Sequence, residues 1–239
     1  PFRLNQWEPG SHLILEAFDQ YVLGRPRIDV LEVKFIPDGN TIVANVLAGA
    51  VEMTLGRSIS VEQAGQLDRW SEGSVVVAPL NLIRLWWQFL NPDPPLIRDV
   101  RFRRALLRAV DREEMAEALQ RNYAPAAYSM VYPGAYPEFE SRLPRFEYDR
   151  GQSVAEIQAL GYALGADGLF RDGSGKTIGL DLMAQATQEV NVRAANAVVD
   201  YWKKVGVDAG LSIEPTQLAG LEKLRYEAER PGFVLRRSG

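Results

Sequence analysis

Side chains that act as nucleophiles, general bases or metal ligands are scarce in this sequence. It contains no cysteine, which excludes disulfides, thiolate metal sites and thiol nucleophiles. Its one histidine is His12, so a metal site with two histidine ligands is excluded and a Ser-His-Asp triad would have to use that residue. We interpret His12 as a solvated residue of a predicted strand, with a catalytic or ligand role as the alternative.

Carboxylates are the remaining catalytic candidates. The sequence has 31 Asp and Glu residues, but they fall at predicted helix caps and on solvated faces. No two of them stand out as the acid and base that hydrolysis of a glycosidic bond requires. We therefore predict no catalytic residues, no metal, no cofactor and no enzymatic activity, with a carboxylate-pair hydrolase as the alternative.

A binding surface is better supported, and its first candidates lie in a β-leaning stretch over residues 74–90 that Pro79 interrupts. Alternation in the second half of this stretch predicts a core face formed by Leu85, Trp87 and Phe89. The opposite face carries a cation, an aromatic ring and an amide, which suit contact with a ligand. These three candidates are Arg84, Trp86 and Gln88. A half-exposed strand with a snorkelled arginine is the alternative.

Two loops supply the other candidate ligand-binding residues. Residues 123–144 are rich in tyrosine and proline and show little periodicity, which predicts a long loop, and its candidates are Tyr128 and Tyr132. The alternative is that aromatic side chains only pin this loop to the body. A second loop, 185–188, follows a predicted strand, where ligands of α/β proteins commonly bind, and its candidates are Gln185 and Thr187. An ordinary connecting loop is the alternative there.

Charge and motifs argue against nucleic-acid and nucleotide binding. The chain carries 27 Lys+Arg and a net charge of −4, with a sequence pI of about 5.3. An arginine-rich helix presents one basic face, which we interpret as solvated rather than phosphate-binding, formed by Arg101, Arg104 and Arg108. The tripeptide 175–177, Gly-Lys-Thr, ends like a P-loop, but Phe170 stands where that motif needs its first glycine and a strand follows.

The order of predicted elements indicates an α/β fold. The N-terminal part predicts a hairpin over 2–17, a strand over 30–36, a helix capped by Asn40 and a helix over 61–70. The C-terminal part predicts strand, helix, strand, helix, strand, at 178–184, 190–205, 207–213, 215–229 and from 233. The longest of these helices ends with Lys203 and Lys204 before Gly206, a well-formed C-terminus.

Five motifs in this order resemble the extracellular solute-binding proteins of family 5, which serve ABC importers of oligopeptides, dipeptides or nickel. The segment NPDPPLIRDVRFRRALLRAVDREEMAEAL is the strongest match. The other four are PFRLNQWEPGSHLILEAFDQY, ANVLAGAVEM, YDRGQSVAEIQALGY and AANAVVDYWKKVGVDAGLSIEP. The chain departs from the family pattern at Ala50, Glu52 and Gly151, which concern the scaffold rather than the ligand.

The resemblance implies a periplasmic-binding-protein-like α/β fold with parts of two lobes and mixed sheets. It implies that residues 1–90 belong to the first lobe, that 91–239 form most of the second, and that the chain is a segment of a longer protein. A dimer of the segment is a further expectation. No ligand-binding motif of the family falls clearly on this sequence, so the candidate residues rest on local chemistry.

The implied function is capture of a small solute, a peptide by preference, in a cleft between the lobes, and delivery to an ABC permease in the membrane. The implied location is the periplasm or the outer face of the cell membrane. The alternative is the ligand-sensing domain of a cytosolic transcriptional regulator of the same fold. The identity of the solute stays open among peptides, nickel chelates and oligosaccharides, and a bare metal ion is the least attractive choice.

Overall fold

The computed structural model describes residues 1–56, 58–68, 70–77, 82–185 and 189–238. The chain forms two compact units, Pro1–Ala78 and Pro79–Gly239. Among the described residues, no helix has the length and apolar character needed to cross a bilayer. The assignment of residues 1–90 and 91–239 to the two lobes of a binding protein stays a prediction.

The first unit contains a three-stranded antiparallel sheet in the order β1-β2-β3. Gly10, at φ 78°, supplies the left-handed turn between the first two strands. The predicted hairpin and the strand that follows it are both confirmed. The bounds of the elements in this unit are β1 (Phe2–Glu8), β2 (His12–Ala17), β3 (Val30–Lys34), α1 (Gly39–Leu47) and α2 (Val61–Ala64).

Helix α1 is capped by Asp38, and the prediction of Asn40 as its cap is wrong. The Asp38 carboxylate accepts hydrogen bonds from the hydroxyl and the backbone N–H of Thr41, both at 2.8 Å. These hydrogen bonds lower the pKa of Asp38 from its ordinary value. The helix packs in the small core of the first unit, whose buried residues are Ile42, Val43, Val46 and Leu67.

The second unit is larger and mixes helices with a four-stranded sheet, as the predicted α/β class requires. Its first part contains β4 (Leu82–Trp87), α3 (Val100–Arg108), α4 (Arg112–Gln120), α5 (Pro137–Glu140) and α6 (Arg150–Ala159). Its second part contains β5 (Ala163–Leu164), β6 (Phe170–Arg171), β7 (Gly179–Ala184), α7 (Glu189–Lys204), β8 (Asp208–Ile213), α8 (Gly220–Glu229) and β9 (Phe233–Ser238).

The strand order of the four-stranded sheet is β4-β9-β7-β8. Strand β7 runs parallel to both β8 and β9, whereas β4 is antiparallel to β9. The last strand of the chain therefore lies inside the sheet, between the first strand of the unit and β7. This pairing places β4 in the second unit, although it precedes the connector at residues 91–95.

Helix α7 packs its apolar stripe on one face of this sheet. Trp202, which is 1% exposed, donates a hydrogen bond from Nε1 to the Leu106 carbonyl oxygen at 3.2 Å. Its ring lies 5.1 Å from that of Phe233, which in turn contacts Trp87 at 4.8 Å. The aromatic contacts join α7, β9 and β4, so the core holds together strands that are far apart in sequence.

Four predicted elements have different bounds in the structure. The helix predicted over 61–70 is α-helical only over Val61–Ala64. Helix α8 begins at Gly220 rather than 215, because Ala219 is extended and Gly220 has φ 55°, neither of which continues a helix upstream. Within the stretch 74–90, the described strand is only β4. The long loop over 123–144 contains the one-turn helix α5. Elsewhere the predicted strands and helices of the second unit are confirmed to within a few residues.

Candidate functional site

The two faces of the four-stranded sheet differ in chemistry. The face under α7 carries apolar residues such as Leu182 and Leu235, both buried in the core. On the opposite face, register pairs align Trp86 with Val234, Met183 and Ser212 in one row across the strands. The same registers put Arg84 level with residue 236 on the neighbouring strand.

The next row lies at the carboxyl ends of the parallel strands and contains two predicted site residues. Ala184 and Leu85 both pair with Leu235. Gln185 follows Ala184 on a strand parallel to β9, and Arg84 precedes Leu85 on a strand antiparallel to β9. Both therefore lie level with residue 236 and fall in one row. The backbone N–H of Gln185 donates to the Leu235 carbonyl oxygen at 3.3 Å, which extends the ladder by one residue. Two strand spacings separate Arg84 and Gln185, about 10 Å.

Arg84 and Trp86 are the candidates best placed to meet a ligand. Trp86 is 42% exposed. Arg84 is half-buried, and its Nε atom is buried without a hydrogen-bond partner among the residues that the structure describes. The predicted alternation of β4 is confirmed for Leu85 and Trp87, which pack against the core on the other side. The placement of Phe89 on that core face is wrong, because β4 ends at Trp87 and Phe89 is 49% exposed.

Gln88 also lies on this strand side, but its amide is engaged by the protein's own backbone. Its Nε2 donates to the carbonyl oxygens of Glu227 at 3.3 Å and Ala228 at 2.7 Å. Its Oε1 accepts from the backbone N–H of Leu90 at 2.7 Å. These bonds tie the end of β4 to the end of α8, so a structural role accounts for Gln88 without a ligand.

Tyr128 is held in a cluster of charged side chains. Its hydroxyl donates to Glu113 Oε1 at 3.0 Å, and the guanidinium groups of Arg112 and Arg145 lie 4.4 and 4.9 Å from the centre of its ring. Burial, and then the hydrogen bond to the carboxylate, raises the pKa of Tyr128. This cluster ties residues 128 and 145 to α4. Such contacts favour the alternative in which aromatic side chains only attach the loop to the body of the protein.

The remaining predicted residues are Tyr132 and Thr187. Tyr132 is half-buried, and its carbonyl oxygen accepts a hydrogen bond from Ala135 N at 3.1 Å. Thr187 lies outside the described residues. No group of three or more His, Asp or Glu residues suited to a metal ion is present in the described part of the chain. The assignment of the seven residues to ligand binding stays a prediction.

The basic face of α3 is partly covered. Arg104 and Arg108 lie 5.5 and 5.4 Å from the centre of the Phe146 ring. Arg108 also pairs with Glu156 of α6, with 3.2 Å between Nε and Oε1. Two of the three arginines are therefore used in packing the segment before α6 against α3.

Sequence reasoning missed a polar cluster at the C-terminal end of α8. Arg230 pairs with Asp181 of β7 and donates to Ser212 Oγ at 3.0 Å, and that hydroxyl donates to Asp181 Oδ2 at 2.8 Å. In the row of Arg84, Glu214 is 5% exposed and pairs with Lys223 at 2.9 Å. The signal available in sequence was only that charged residues alternate with apolar ones in these strands.

Two solved structures share this fold. NikA from Brucella suis in complex with Fe(III)-EDTA matches with a TM-score of 0.81 and 20% identity, over 100% of this chain and 47% of that one. AppA from Bacillus subtilis in complex with a nonapeptide matches with a TM-score of 0.60 and 23% identity, over 100% and 46%. The fold is thus the periplasmic-binding-protein-like α/β fold.

The chain belongs to the bacterial extracellular solute-binding proteins, family 5, and its residues 1–234 match the model of the middle region. Among curated relatives, the oligopeptide-binding protein AppA of Bacillus subtilis is 27% identical over 217 residues, which are 89% of this chain and 38% of AppA. The chain thus spans less than half the length of AppA and of NikA. The family resemblance stated from the motifs is confirmed.

Proposed function

We propose that the protein carrying this chain is the solute-binding component of an ABC importer. It captures a small solute, in our prediction a peptide, in a cleft between two lobes. The observation that carries this proposal is the family match over residues 1–234. The oligopeptide-binding relative supports a peptide as the solute, whereas the NikA complex keeps a metal chelate as the other possibility.

Binding on this proposal involves no covalent chemistry. The half-exposed ring of Trp86 stacks on the solute, and Arg84 and Gln185 of the neighbouring row bind its polar groups. Tyr128, Tyr132 and Thr187 are proposed as further contacts. Closure of the lobes then excludes water and holds the solute for transfer.

The proposed partner of the loaded protein is a permease in the membrane. The proposed location is the periplasm or the outer face of the cell membrane. Determining the gene sequence on both sides of this segment tests the location. A secretory signal or a lipoprotein cysteine upstream is the expected result, whereas an upstream helix-turn-helix would favour the cytosolic regulator instead.

Tryptophan emission tests the placement of the solute. In the protein containing both lobes, a bound peptide should change the emission, and Trp86→Phe should remove most of that change. Trp7→Phe is the control, because Trp7 is 63% exposed in the first unit. An emission change that persists in Trp86→Phe would contradict the assignment of Trp86.

Small-angle scattering tests closure in the same protein. A bound solute should reduce the radius of gyration, because the two lobes move together around it. An unchanged radius at saturating solute would argue against the cleft mechanism.

A further inference from the structure

We propose that the first half of α8, residues 220–225, is a hinged lid beside the candidate site. The ion pair between Lys223 and Glu214 is the latch that holds this lid closed. The inference rests on the proposed function, because the lid controls how a solute reaches the row of Arg84 and Gln185. The second half of the helix stays attached to the sheet and acts as the fixed end.

The first support is that α8 is not anchored by apolar packing. None of its ten residues, Gly220–Glu229, is buried. Its leucines face solvent, since Leu221 is 84% exposed and Leu224 is 59% exposed. In α7, by contrast, seven residues are buried, among them Trp202. Because burial of apolar side chains supplies most of the stability of a helix in a protein, α8 is held less firmly than α7.

The second support is that polar contacts fix the C-terminal end of α8. The side-chain amides of Gln88 and Asn91 donate hydrogen bonds to the backbone carbonyl oxygens of its last two residues, at 2.7 and 2.8 Å. Arg230, the C-cap residue, pairs with Asp181 of β7. This end of the helix therefore stays on the sheet when the other end moves.

The first half of α8 is attached much more weakly. Among the described residues, its one hydrogen bond or ion pair to the sheet joins Lys223 Nζ to Glu214 Oε2 at 2.9 Å. No side chain caps the first turn, and Ala219, which precedes it, is extended. Gly220 has φ 55°, and a Cβ atom there would meet nothing within 4 Å. This glycine gives the connection before the helix the backbone freedom that a hinge needs.

The third support is the position of the latch. Glu214 directly follows β8 and lies in the row of Gln185 and Arg84, one strand spacing, about 5 Å, from Gln185. Glu214 is 5% exposed, so the closed lid shields its carboxylate from water. A buried carboxylate needs a cation beside it, and Lys223 supplies that charge only while the lid is closed. When the lid opens, Glu214 is hydrated and this end of the row is open to a solute.

The experiment measures amide hydrogen exchange by mass spectrometry in the full-length protein that contains this chain, without solute. Amides 221–225 report on the lid, and amides 193–204 report on α7. The variants are Lys223→Met, which removes the latch, and Lys223→Met with Glu214→Gln, which leaves no buried charge behind. Arg225→Gln is the matched control, because Arg225 is exposed on the same helix and pairs with Glu229 one turn away.

In the wild-type protein, the lid amides should exchange at least about 10-fold faster than those of α7, because opening the lid exposes little apolar surface. Lys223→Met should accelerate their exchange by about 10-fold or more, because the closed lid would bury Glu214 without a counter-ion. Most of this acceleration should disappear in the double variant. Arg225→Gln should change the exchange by less than about 2-fold, as expected for an exposed ion pair.

Stopped-flow measurement of tryptophan emission relates the lid to the site. The probes are a mixed-sequence library of tripeptides to pentapeptides and Fe(III)-EDTA. Lys223→Met should raise the association rate of a probe that binds by about 10-fold, because only the open fraction of the protein admits solute. The double variant should return the rate close to that of the wild-type protein.

Three results would overturn the inference. If the lid amides of the wild-type protein are as protected as those of α7, or if Lys223→Met leaves their exchange unchanged, α8 carries no latched lid, although the proposed function stands. If Lys223→Met opens the lid but solute associates at the wild-type rate, the lid does not serve the site. If no probe binds and no solute co-purifies with the wild-type protein, the proposed function fails together with the inference. The comparison of α8 with α7 needs no variant, so it decides even where a variant fails to fold.

Discussion

Replacing Gly232 with alanine tests the close approach of β9 to β7, on which the geometry of the candidate site depends. Gly232 precedes β9 and has φ 91°, a conformation that L-residues rarely adopt. A Cβ atom at this position would lie 2.3 Å from the Asp181 carbonyl oxygen of β7. Ordinary contact begins at 3.4 Å, so the strands would have to separate by about 1.1 Å.

The expected cost has two parts. An alanine at positive φ costs roughly 1–2 kcal/mol. Forcing extra volume into a packed position costs about 1–3 kcal/mol more. We therefore expect Gly232→Ala to lower the free energy of unfolding of the second unit by about 2–5 kcal/mol.

Gly161→Ala is the matched control, because the two glycines have nearly the same positive φ and differ in their neighbours. Gly161 lies in the same unit at φ 92°, and a Cβ there would meet nothing within 4 Å. It should show only the conformational cost, roughly 1–2 kcal/mol. The effect of alanine on the unfolded chain is common to both variants and cancels in the comparison.

The assay is urea denaturation followed by far-UV circular dichroism and tryptophan fluorescence. The m value, which is the slope of the unfolding free energy against urea concentration, is compared between the variants. Equal free energies of unfolding for the two variants would refute the close approach of the strands at residue 232. Gly232→Ala should also weaken solute binding, since β9 separates the strand of Arg84 from the strand that precedes Gln185. Normal binding in a destabilised variant would show that the site does not depend on this spacing.

Three further predictions concern stability. Phe233→Ala should cost about 3–5 kcal/mol in urea denaturation, because the ring is fully buried between two tryptophans. Ser153→Ala should cost about 1 kcal/mol in the same assay, because its buried hydroxyl donates to a carbonyl of α3 at 2.8 Å. A side-chain hydrogen bond from Arg101 lowers the pKa of Asp99 in the folded state. The stability that this interaction contributes is complete above the pKa of Asp99 in the unfolded chain, near 3.9, and is lost as the pH falls through its lower pKa in the folded state. The urea midpoint should therefore decline less on acidification in Asp99→Asn than in the wild-type protein.

Local patterns in the sequence were sufficient for the character of single elements. Alternation alone placed Arg84 and Trp86 on one face of β4 and Leu85 on the other, because successive side chains of a strand point to opposite faces. The apolar stripe of α7 and the lysines at its C-terminal end were likewise predicted from neighbouring residues in the sequence. The N-cap of α1 was missed by two residues, because Asp38 and Asn40 are both good caps and only the bond to the N–H of Thr41 distinguishes them.

Only the tertiary structure decided which of these elements are neighbours. Strand β9 enters the sheet between β4 and β7, and this insertion brings Arg84 and Gln185 into one row. No periodicity encodes that order, because a strand of this length pairs with several partners equally well until the whole core is packed. The same long-range folding uses Gln88 to hold the end of α8 and buries Glu214 beside Lys223. The local sequence therefore determined which face of an element each side chain occupies. Packing between distant segments determined which of these side chains a solute can reach.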